Sequence, residues 1–399
     1  SIRSSASREQ LDACQISVYN ENFFIDLSRY DLEWSAVGAR GEILSRGALA
    51  LPAIAPQGTE LITLPKEAFK GAWLNLKYLL RESGLQGQAG EQVAYDQIRV
   101  VPLTCSGRQI PPVQVSVDFD PSTGALCSYA LGGRELLAAP LMPCLGRALT
   151  ENDRKARQAQ DKLWWSLWPE YKLVSFERED RSAKAVYTVA DGIKISLDYQ
   201  LLDSGELEIN QSMEVDPAKS ADKFIYRFGV ELALDRSLSV VDFCGLGPWE
   251  NYIDRCSGAI YGHYTQTVEE QYRWDYVRPQ ESGTHCGLES FAVLDGAGRG
   301  ICVTGRMSGE TFSASALPLS RRDLDWSLHH EANLHPEQLR ARCYDEGMRP
   351  RATYVNIDKV QMGVGGIDSW GRWPLPEYLL PAQERSFIFV LRPVCGLVE

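Results

Sequence analysis

Short runs of alternating apolar and polar residues constrain this chain more than any other feature. A period of two puts every second side chain on one face of an extended strand. Cys14 to Tyr19, Leu32 to Val37, Glu60 to Leu64, Trp73 to Leu79 and Ala94 to Val101 all read this way. Each run is short and bounded by Gly, Pro or Asp, as at Gly38-Ala39-Arg40-Gly41. Only Lys66 to Lys70 reads as a helical turn. No stretch keeps a 3.6-residue period over three turns, and strands do not alternate with amphipathic helices. That excludes a βα barrel and a dinucleotide-binding sheet. The chain is predicted to be all-β.

The pattern divides in two. Residues 1–105 form a first set of strands at the spacing of a β-sandwich. Residues 106–112, Ser-Gly-Arg-Gln-Ile-Pro-Pro, have linker chemistry. A longer series fills 113–399. It runs through Val113 to Phe119, Ala125 to Leu131, Leu173 to Glu177, Lys184 to Val189 and Ile193 to Leu201, then Glu206 to Glu214, Lys223 to Leu234 and finally Arg385 to Leu391. Asp191-Gly192, Ser204-Gly205 and Asp295-Gly296 punctuate hairpins, because Gly and Asp tolerate the positive φ of tight turns. An antiparallel sheet of that size must close or split into packed layers.

Charge and short motifs exclude several functions. The 399 residues carry a formal net charge of −12, which leaves no surplus of cations for a phosphate backbone. Nucleic acid is therefore not an expected partner, whereas neutral ligands such as sugars are compatible. No apolar stretch approaches the ~20 residues of a membrane helix, and no signal peptide is visible. The chain opens Ser1-Ile2-Arg3 without an initiator Met, so we expect the natural protein to extend upstream. The compartment stays open between cytoplasm and periplasm. The ten Cys are widely spaced, with no Cys-x-x-Cys, and read as small buried hydrophobes. The five His are not at paired ligand spacing with Cys, so no metal site is expected. Phosphate-loop, Gly-x-Ser-x-Gly and His-Glu-x-x-His motifs are absent. The charged stretch 151–162 reads as a solvated loop or short helix.

Three segments look unlike routine strand or turn. They are Gly245-Leu-Gly-Pro-Trp-Glu-Asn-Tyr252, Arg278-Pro-Gln-Glu-Ser-Gly-Thr-His-Cys-Gly287, and Met362-Gly-Val-Gly-Gly-Ile-Asp-Ser-Trp370 with Gly371-Arg-Trp-Pro374 after it. Gly can adopt the φ values that set an aromatic ring at a loop tip. A Trp face beside Asp, Asn and Arg suits a pyranose, whose C–H face stacks while its hydroxyls meet polar groups. A Trp closing the end of a sandwich is the plainer alternative. Glycoside hydrolysis needs two carboxylates about 5–10 Å apart. Glu151, Glu250, Asp254, Glu281 and Asp368 are candidates by context, but nothing in the sequence pairs any two. Glu250 and Glu281 read better as buried acceptors for loop N–H groups.

These segments together resemble the C-terminal portion of family 2 β-galactosidases. The shared patterns are Gly-Leu-Gly-Pro-x-Glu-Asn-Tyr at 245–252 with Asp254-Arg255, Pro-x-Glu-x-Gly-x-x-Cys-Gly at 279–287, and Asn356-Ile-Asp358 with Met-Gly-x-Gly-Gly-x-Asp-Ser-Trp at 362–370. Arg147-Ala-Leu-Thr-Glu-Asn-Asp153 matches Arg-Ala-Pro-x-Asp-Asn-Asp except at Leu149 and Glu151. The resemblance covers essentially the whole chain. It implies an immunoglobulin-like linker sandwich at 1–105 and a small-chain supersandwich similar to galactose mutarotase at 113–399. It also implies that Trp370 binds the sugar on the leaving-group side, with Asp368, Ser369, Gly363, Gly365 and Gly366 supporting its loop. The family's catalytic Glu pair and its Mg²⁺ and Na⁺ ligands lie in an upstream βα barrel, so no catalytic residue and no cofactor is expected within 1–399. Asn20-Glu21 mimics the acid/base dipeptide but sits at a strand end. The implied substrates are β-galactosides such as lactose, and the implied partners are the upstream barrel and further copies of the full-length chain. Two alternatives remain: a free-standing carbohydrate-binding protein, or a mutarotase-like epimerase built on His285 with Glu281, or on His263.

Overall fold

The computed structural model describes residues 2–39, 41–101, 114–153, 170–190, 192–220, 223–274, 276, 278–307, 309–324, 338, 351–366, 368 and 371–396. The chain separates into two compact units, Ser1–Ser106 and Gly107–Glu399.

The first unit contains β1 (Ile2–Ser5), β2 (Gln15–Asn20), β3 (Tyr30–Val37), β4 (Ile43–Ala50), β5 (Thr59–Thr63), β6 (Trp73–Leu80) and β7 (Gln92–Arg99). A three-stranded sheet β1-β2-β5 and a four-stranded sheet β4-β3-β6-β7 enclose one apolar cluster. Alternation decides which side chains enter it. Ile16 and Val18 come from β2, Leu32 and Trp34 from β3, and Leu74, Leu76 and Tyr78 from β6. Strand β4 is an edge strand with no fully buried residue; half-buried Ser45, Gly47 and Leu49 alternate with exposed positions. Its Gly47 is required by contact: a Cβ there would lie 2.5 Å from the Trp34 ring. The short helix Arg8–Asp12 was not predicted. Ser7 caps it, accepting from Gln10 N while Gln10 Oε1 accepts from Ser7 N.

The second unit holds β8 (Val115–Asp120), β9 (Ala125–Leu131), β10 (Arg134–Glu135), β11 (Leu137–Cys144), β12 (Lys172–Arg178), β13 (Ser182–Ala190), β14 (Ile193–Leu201) and β15 (Leu207–Val215). It continues with β16 (Arg227–Leu234), β17 (Val240–Gly247), β18 (Ile260–Thr267), β19 (His285–Leu288), β20 (Ser290–Leu294), β21 (Arg299–Gly305), β22 (Phe312–Leu317), β23 (Thr353–Gln361) and β24 (Arg385–Cys395). One sheet runs β10-β9-β11-β16-β23-β22-β19, with β8 also on β9. The other runs β12-β13-β14-β15-β24-β21-β20-β17-β18. Adjacent strands are antiparallel, as between β14 and β15 or β16 and β23. Ile195 and Leu197 of one sheet share a single hydrophobic core with Phe228 and Val230 of the other, which makes the unit a sandwich.

Two sequence expectations shift. The strand expected over Lys223 to Leu234 begins at Arg227, because Phe224 is instead held in an isolated bridge with Pro381. In the Asp295-Gly296 hairpin the left-handed residue is Gly298, at φ +73°, since the Asp295 carboxylate accepts from both Ala297 N and Arg299 N and lengthens the turn.

Strands β16 and β22 break the alternation, being buried on nearly every residue. Their inward residues, Phe228, Val230, Ala314 and Ala316, join the core. Arg227 points into a polar layer covered by loops, where it meets Glu281 and Gln361. Those loops carry the unusual sequence segments.

Candidate functional site

The loop at 362–366 has a partner for most of its backbone polar groups. Met362 N donates to Tyr226 O (2.7 Å) and Gly363 N to Tyr378 O (2.9 Å). Val364 N and Gly365 N donate to the two oxygens of Asp254, at 3.1 and 2.7 Å. Arg147 reaches from the other side, with Nη1 on Met362 O (2.6 Å) and Nη2 on Gly363 O (2.9 Å). In the amide orientation that satisfies its neighbours, Asn152 accepts from Gly366 N at 3.0 Å and donates to Asp368 O at 3.3 Å.

Close approach, rather than left-handed φ, explains the glycines here. Gly363, Gly365 and Gly366 are not among the residues with positive φ. A Cβ on Gly363 would lie 2.6 Å from Asp254 Oδ2, and one on Gly366 would lie 2.4 Å from the Asn152 side-chain amide. Asp368 pairs with Arg372 at 3.8 Å. Ser369 and Trp370 lie outside the described residues.

Arg147 is fully buried and anchors the cluster. Its Nε and Nη2 meet the Asp153 carboxylate at 3.0 and 2.8 Å, and its guanidinium lies 5.2 Å from the Tyr226 ring centroid. Burial opposes its charge, but the Asp153 carboxylate prevails and holds the guanidinium above its ordinary pKa. The expectation of a solvated stretch at 151–162 is therefore corrected at its start. Asp153 is only 5% exposed, because it must neutralise Arg147 and accept from Thr150 N. Residues 154–162 lie outside the described residues.

The nominated carboxylates have structural partners. Glu250 accepts from Ser282 Oγ (3.0 Å) and Gly283 N (2.6 Å), and its other oxygen meets Arg255 Nη2 (2.6 Å) and Tyr276 OH. Glu281 is buried against Arg227 Nη2 (3.0 Å) and Thr284 Oγ1 (3.1 Å), so its partners are a guanidinium and a hydroxyl rather than loop N–H groups. Glu151 pairs with Arg278 at 2.9 Å. Asn251 ties the first unusual segment to the second: its Nδ2 donates to Leu246 O and Trp249 O, and its Oδ1 accepts from Cys286 N. The segment includes a cis Gly247-Pro248 peptide. Its Trp249 does not plug the sandwich but is 63% exposed, with Arg273 over its ring at 5.2 Å. Trp373 is the packed one, edge-on to Phe224.

The two described histidines each have a partner within the fold. His285 is buried, with Nδ1 3.3 Å from Leu246 O, and burial pushes its pKa down to about 4. His263 is bound by the Asp242 carboxylate at 2.9 Å. Asn20 is buried and donates to Ile25 O and Ile54 O, while Glu21 pairs with Arg3. Among the described residues, no three His, Cys, Asp or Glu side chains converge as metal ligands would. The eight described Cys are all free thiols. Cys144 and Cys286 are buried, but Cys127 and Cys395 are exposed, so the buried reading does not extend to them.

Sequence reasoning missed Arg227, and it named Asp358 within a shared pattern without giving it a role. Both are fully buried on adjacent strands, with Arg227 Nε 3.7 Å from Asp358 Oδ2. Burial raises the Asp358 carboxyl to about 7 against the opposing pull of Arg227. Local sequence carries little signal: Arg227 opens a strand that also carries Glu231, and Asp358 is followed by Lys359.

The family profile described as β-galactosidase small chain matches residues 113–391. The chain belongs to the β-galactosidase small-chain family. A second profile, described as β-galactosidase domain 4, matches residues 16–101. A β-galactosidase from Halalkalibacterium halodurans is 26% identical over 410 residues, covering 95% of this chain and 38% of the relative. One from Priestia megaterium is 28% identical over 418 residues, covering 95% and 37%. One from Lactobacillus delbrueckii subsp. bulgaricus is 30% identical over 284 residues, covering 69% and 26%. The chain thus spans well under half the length of the curated relatives it matches. Among solved structures, galactose 1-epimerase from Lactobacillus acidophilus NCFM aligns with 81% of this chain and 95% of its own, at 9% identity and a TM-score of 0.39. A likeness that loose supports no assignment.

Proposed function

We propose that this chain is the C-terminal part of a longer β-galactosidase that hydrolyses terminal β-D-galactosyl residues, as in lactose, by a retaining mechanism. The observation that carries this reading is the tandem match of two β-galactosidase profiles to this chain, at 16–101 and 113–391, beside relatives much longer than the chain. On this reading the acid/base and nucleophilic carboxylates, with the Mg²⁺ and Na⁺ ligands, belong to an upstream βα barrel. One carboxyl there protonates the leaving oxygen while the other forms the galactosyl intermediate. The side-chain chemistry of 1–399 is in keeping with that division. Glu250, Asp254 and Glu281 are each bound by N–H, hydroxyl or guanidinium donors. The role assigned to this chain is scaffold, contact surface in a homo-oligomeric parent, and one sugar-contacting residue, Trp370. Asp368, Ser369, Gly363, Gly365 and Gly366 belong to the same loop.

Two assays test this. The purified 399-residue chain should not cleave an aryl β-galactoside, whereas the same chain joined to its upstream barrel should. Turnover by the chain alone, abolished by substituting one of its own carboxylates, would overturn the division of labour. In the full-length enzyme, Trp370→Ala should weaken acceptor-sugar binding more than it slows cleavage of the galactosyl bond. Tight galactose binding by the isolated chain, followed by Trp fluorescence, would favour a free-standing binding protein instead.

A further inference from the structure

Two side chains from distant parts of the sequence grip consecutive peptide groups of one loop. The Asp254 carboxylate bridges the successive N–H groups of Val364 and Gly365, and the Arg147 guanidinium bridges the successive carbonyls of Met362 and Gly363. A carboxylate on two adjacent N–H groups fixes the peptide plane between them, and a planar guanidinium fork does the same for two carbonyls.

Both grips are rigidly mounted. Asp254 lies within a tight turn closed by Arg255 N donating to Tyr252 O (2.8 Å) and Tyr252 N donating to Arg255 O (3.3 Å). The same turn is tied down by Arg255 on Glu250, which also holds Gly283 N. Arg147 is fixed by both oxygens of Asp153. A Cβ on Gly363 would lie 2.6 Å from the Asp254 oxygen and one on Gly365 3.1 Å, so the carboxylate lies directly against the backbone. An ordinary surface loop leaves its N–H groups to water. This one is held at five successive residues.

We propose that Asp254, together with Arg147, is a positioning residue for the acceptor-side sugar, acting through the 362–366 backbone on the segment that continues to Trp370. The inference rests on the reading that Trp370 belongs to the sugar site. It assigns no chemistry to Asp254, which sets the place and angle of the loop rather than touching substrate. Small displacements of a positioned group carry large effects on a bound partner.

The test uses the full-length enzyme with an aryl β-galactoside donor and glucose as acceptor. The readout is the ratio of galactosyl transfer to hydrolysis. Asp254→Ala should lower that ratio about fivefold, and Asp254→Asn, which keeps one acceptor oxygen, should lower it less. Combining Asp254→Ala with Trp370→Ala should lower it no further than Trp370→Ala alone, because both act on one group. In the 399-residue chain, hydrogen exchange of the peptide spanning 362–366 should accelerate in Asp254→Ala. A purely structural role would lower transfer and hydrolysis together and leave their ratio unchanged. If Trp370→Ala lowers the ratio while neither Asp254 variant does, the positioning role is overturned and the Trp370 reading stands. If Trp370→Ala leaves the ratio unchanged, the site reading fails and this inference falls with it. Should Asp254→Ala not fold, Asp254→Asn decides.

Discussion

Replacing Arg147 by Met gives the most direct measure of what holds the loop cluster together. Arg147 is fully buried and makes two bonds to Asp153 and two to loop carbonyls. Met fills most of the volume but carries no donor. Asp153, itself 5% exposed, is then left as a buried carboxylate without its cation. Breaking a buried ion pair from one side costs about 3–5 kcal/mol. The carbonyls of Met362 and Gly363 lose their donors as well, at about 1–3 kcal/mol each if water cannot reach them. Local relaxation relieves part of the total, so we expect about 5 kcal/mol. At about 2 °C per kcal/mol for a domain of this size, the melting temperature falls by about 10 °C. Calorimetry at neutral pH measures it. The double variant Arg147→Met/Asp153→Asn leaves no unpaired charge and should melt above Arg147→Met. A fall under about 2 °C, or a double variant that melts lower than the single, refutes the reasoning that Arg147 is retained to balance Asp153 and cap the loop.

Three further outcomes follow from buried groups. Asp358 has a folded pKa of about 7. Its ordinary value is about 3.9, so the folded state keeps a proton that the unfolded state releases. Stability from this group is complete below about pH 4 and is lost as pH rises to about 7. At about 1.4 kcal/mol for each pH unit the pKa moves, the loss is on the order of 4 kcal/mol. Urea titrations at pH 5 and pH 8 span about 3 kcal/mol of that loss, and the difference should shrink in Asp358→Asn; an equal difference in both proteins removes the assignment. Gln211 is fully buried and neither of its side-chain polar atoms has a hydrogen-bond partner. Gln211→Met should therefore raise stability by about 1–3 kcal/mol in the same titrations, and a loss would show that the amide is satisfied. Gly366→Ala places a Cβ 2.4 Å from the Asn152 side-chain amide and 2.9 Å from Arg372 O. It should destabilise the chain by about 1–3 kcal/mol, and a neutral result would mean that Asn152 swings away freely.

Legibility in the sequence followed the physics of each element. Strands with one wet face were readable from alternation: β14 buries Ile193, Ile195 and Leu197 and leaves Lys194 outward. Strands covered on both faces were harder to bound, because Arg227 and Phe228 are both buried and the alternating signal vanishes. The loop segments were conspicuous through their Gly, Pro and Trp content, but their contacts were not. Asp254 is 110 residues from Val364, and Arg147 is 215 from Met362. No local pattern announces a partner at that distance. Gly283, Gly287 and Gly371 do adopt positive φ, but Gly363, Gly365 and Gly366 do not; those three let Asp254 and Asn152 reach the backbone.

By itself, the sequence determined an all-β chain, its family, and which loops are unusual, because alternation and turn chemistry are local properties of a strand and its ends. The tertiary structure alone decided what those loops do to each other. Burial removes water from Arg147, Glu250, Glu281 and Asp358, and a group without water must find its partner wherever the sheets bring one. That requirement joins residues hundreds of positions apart into one clamp around 362–366, and it is a property of the folded packing rather than of any stretch of the chain.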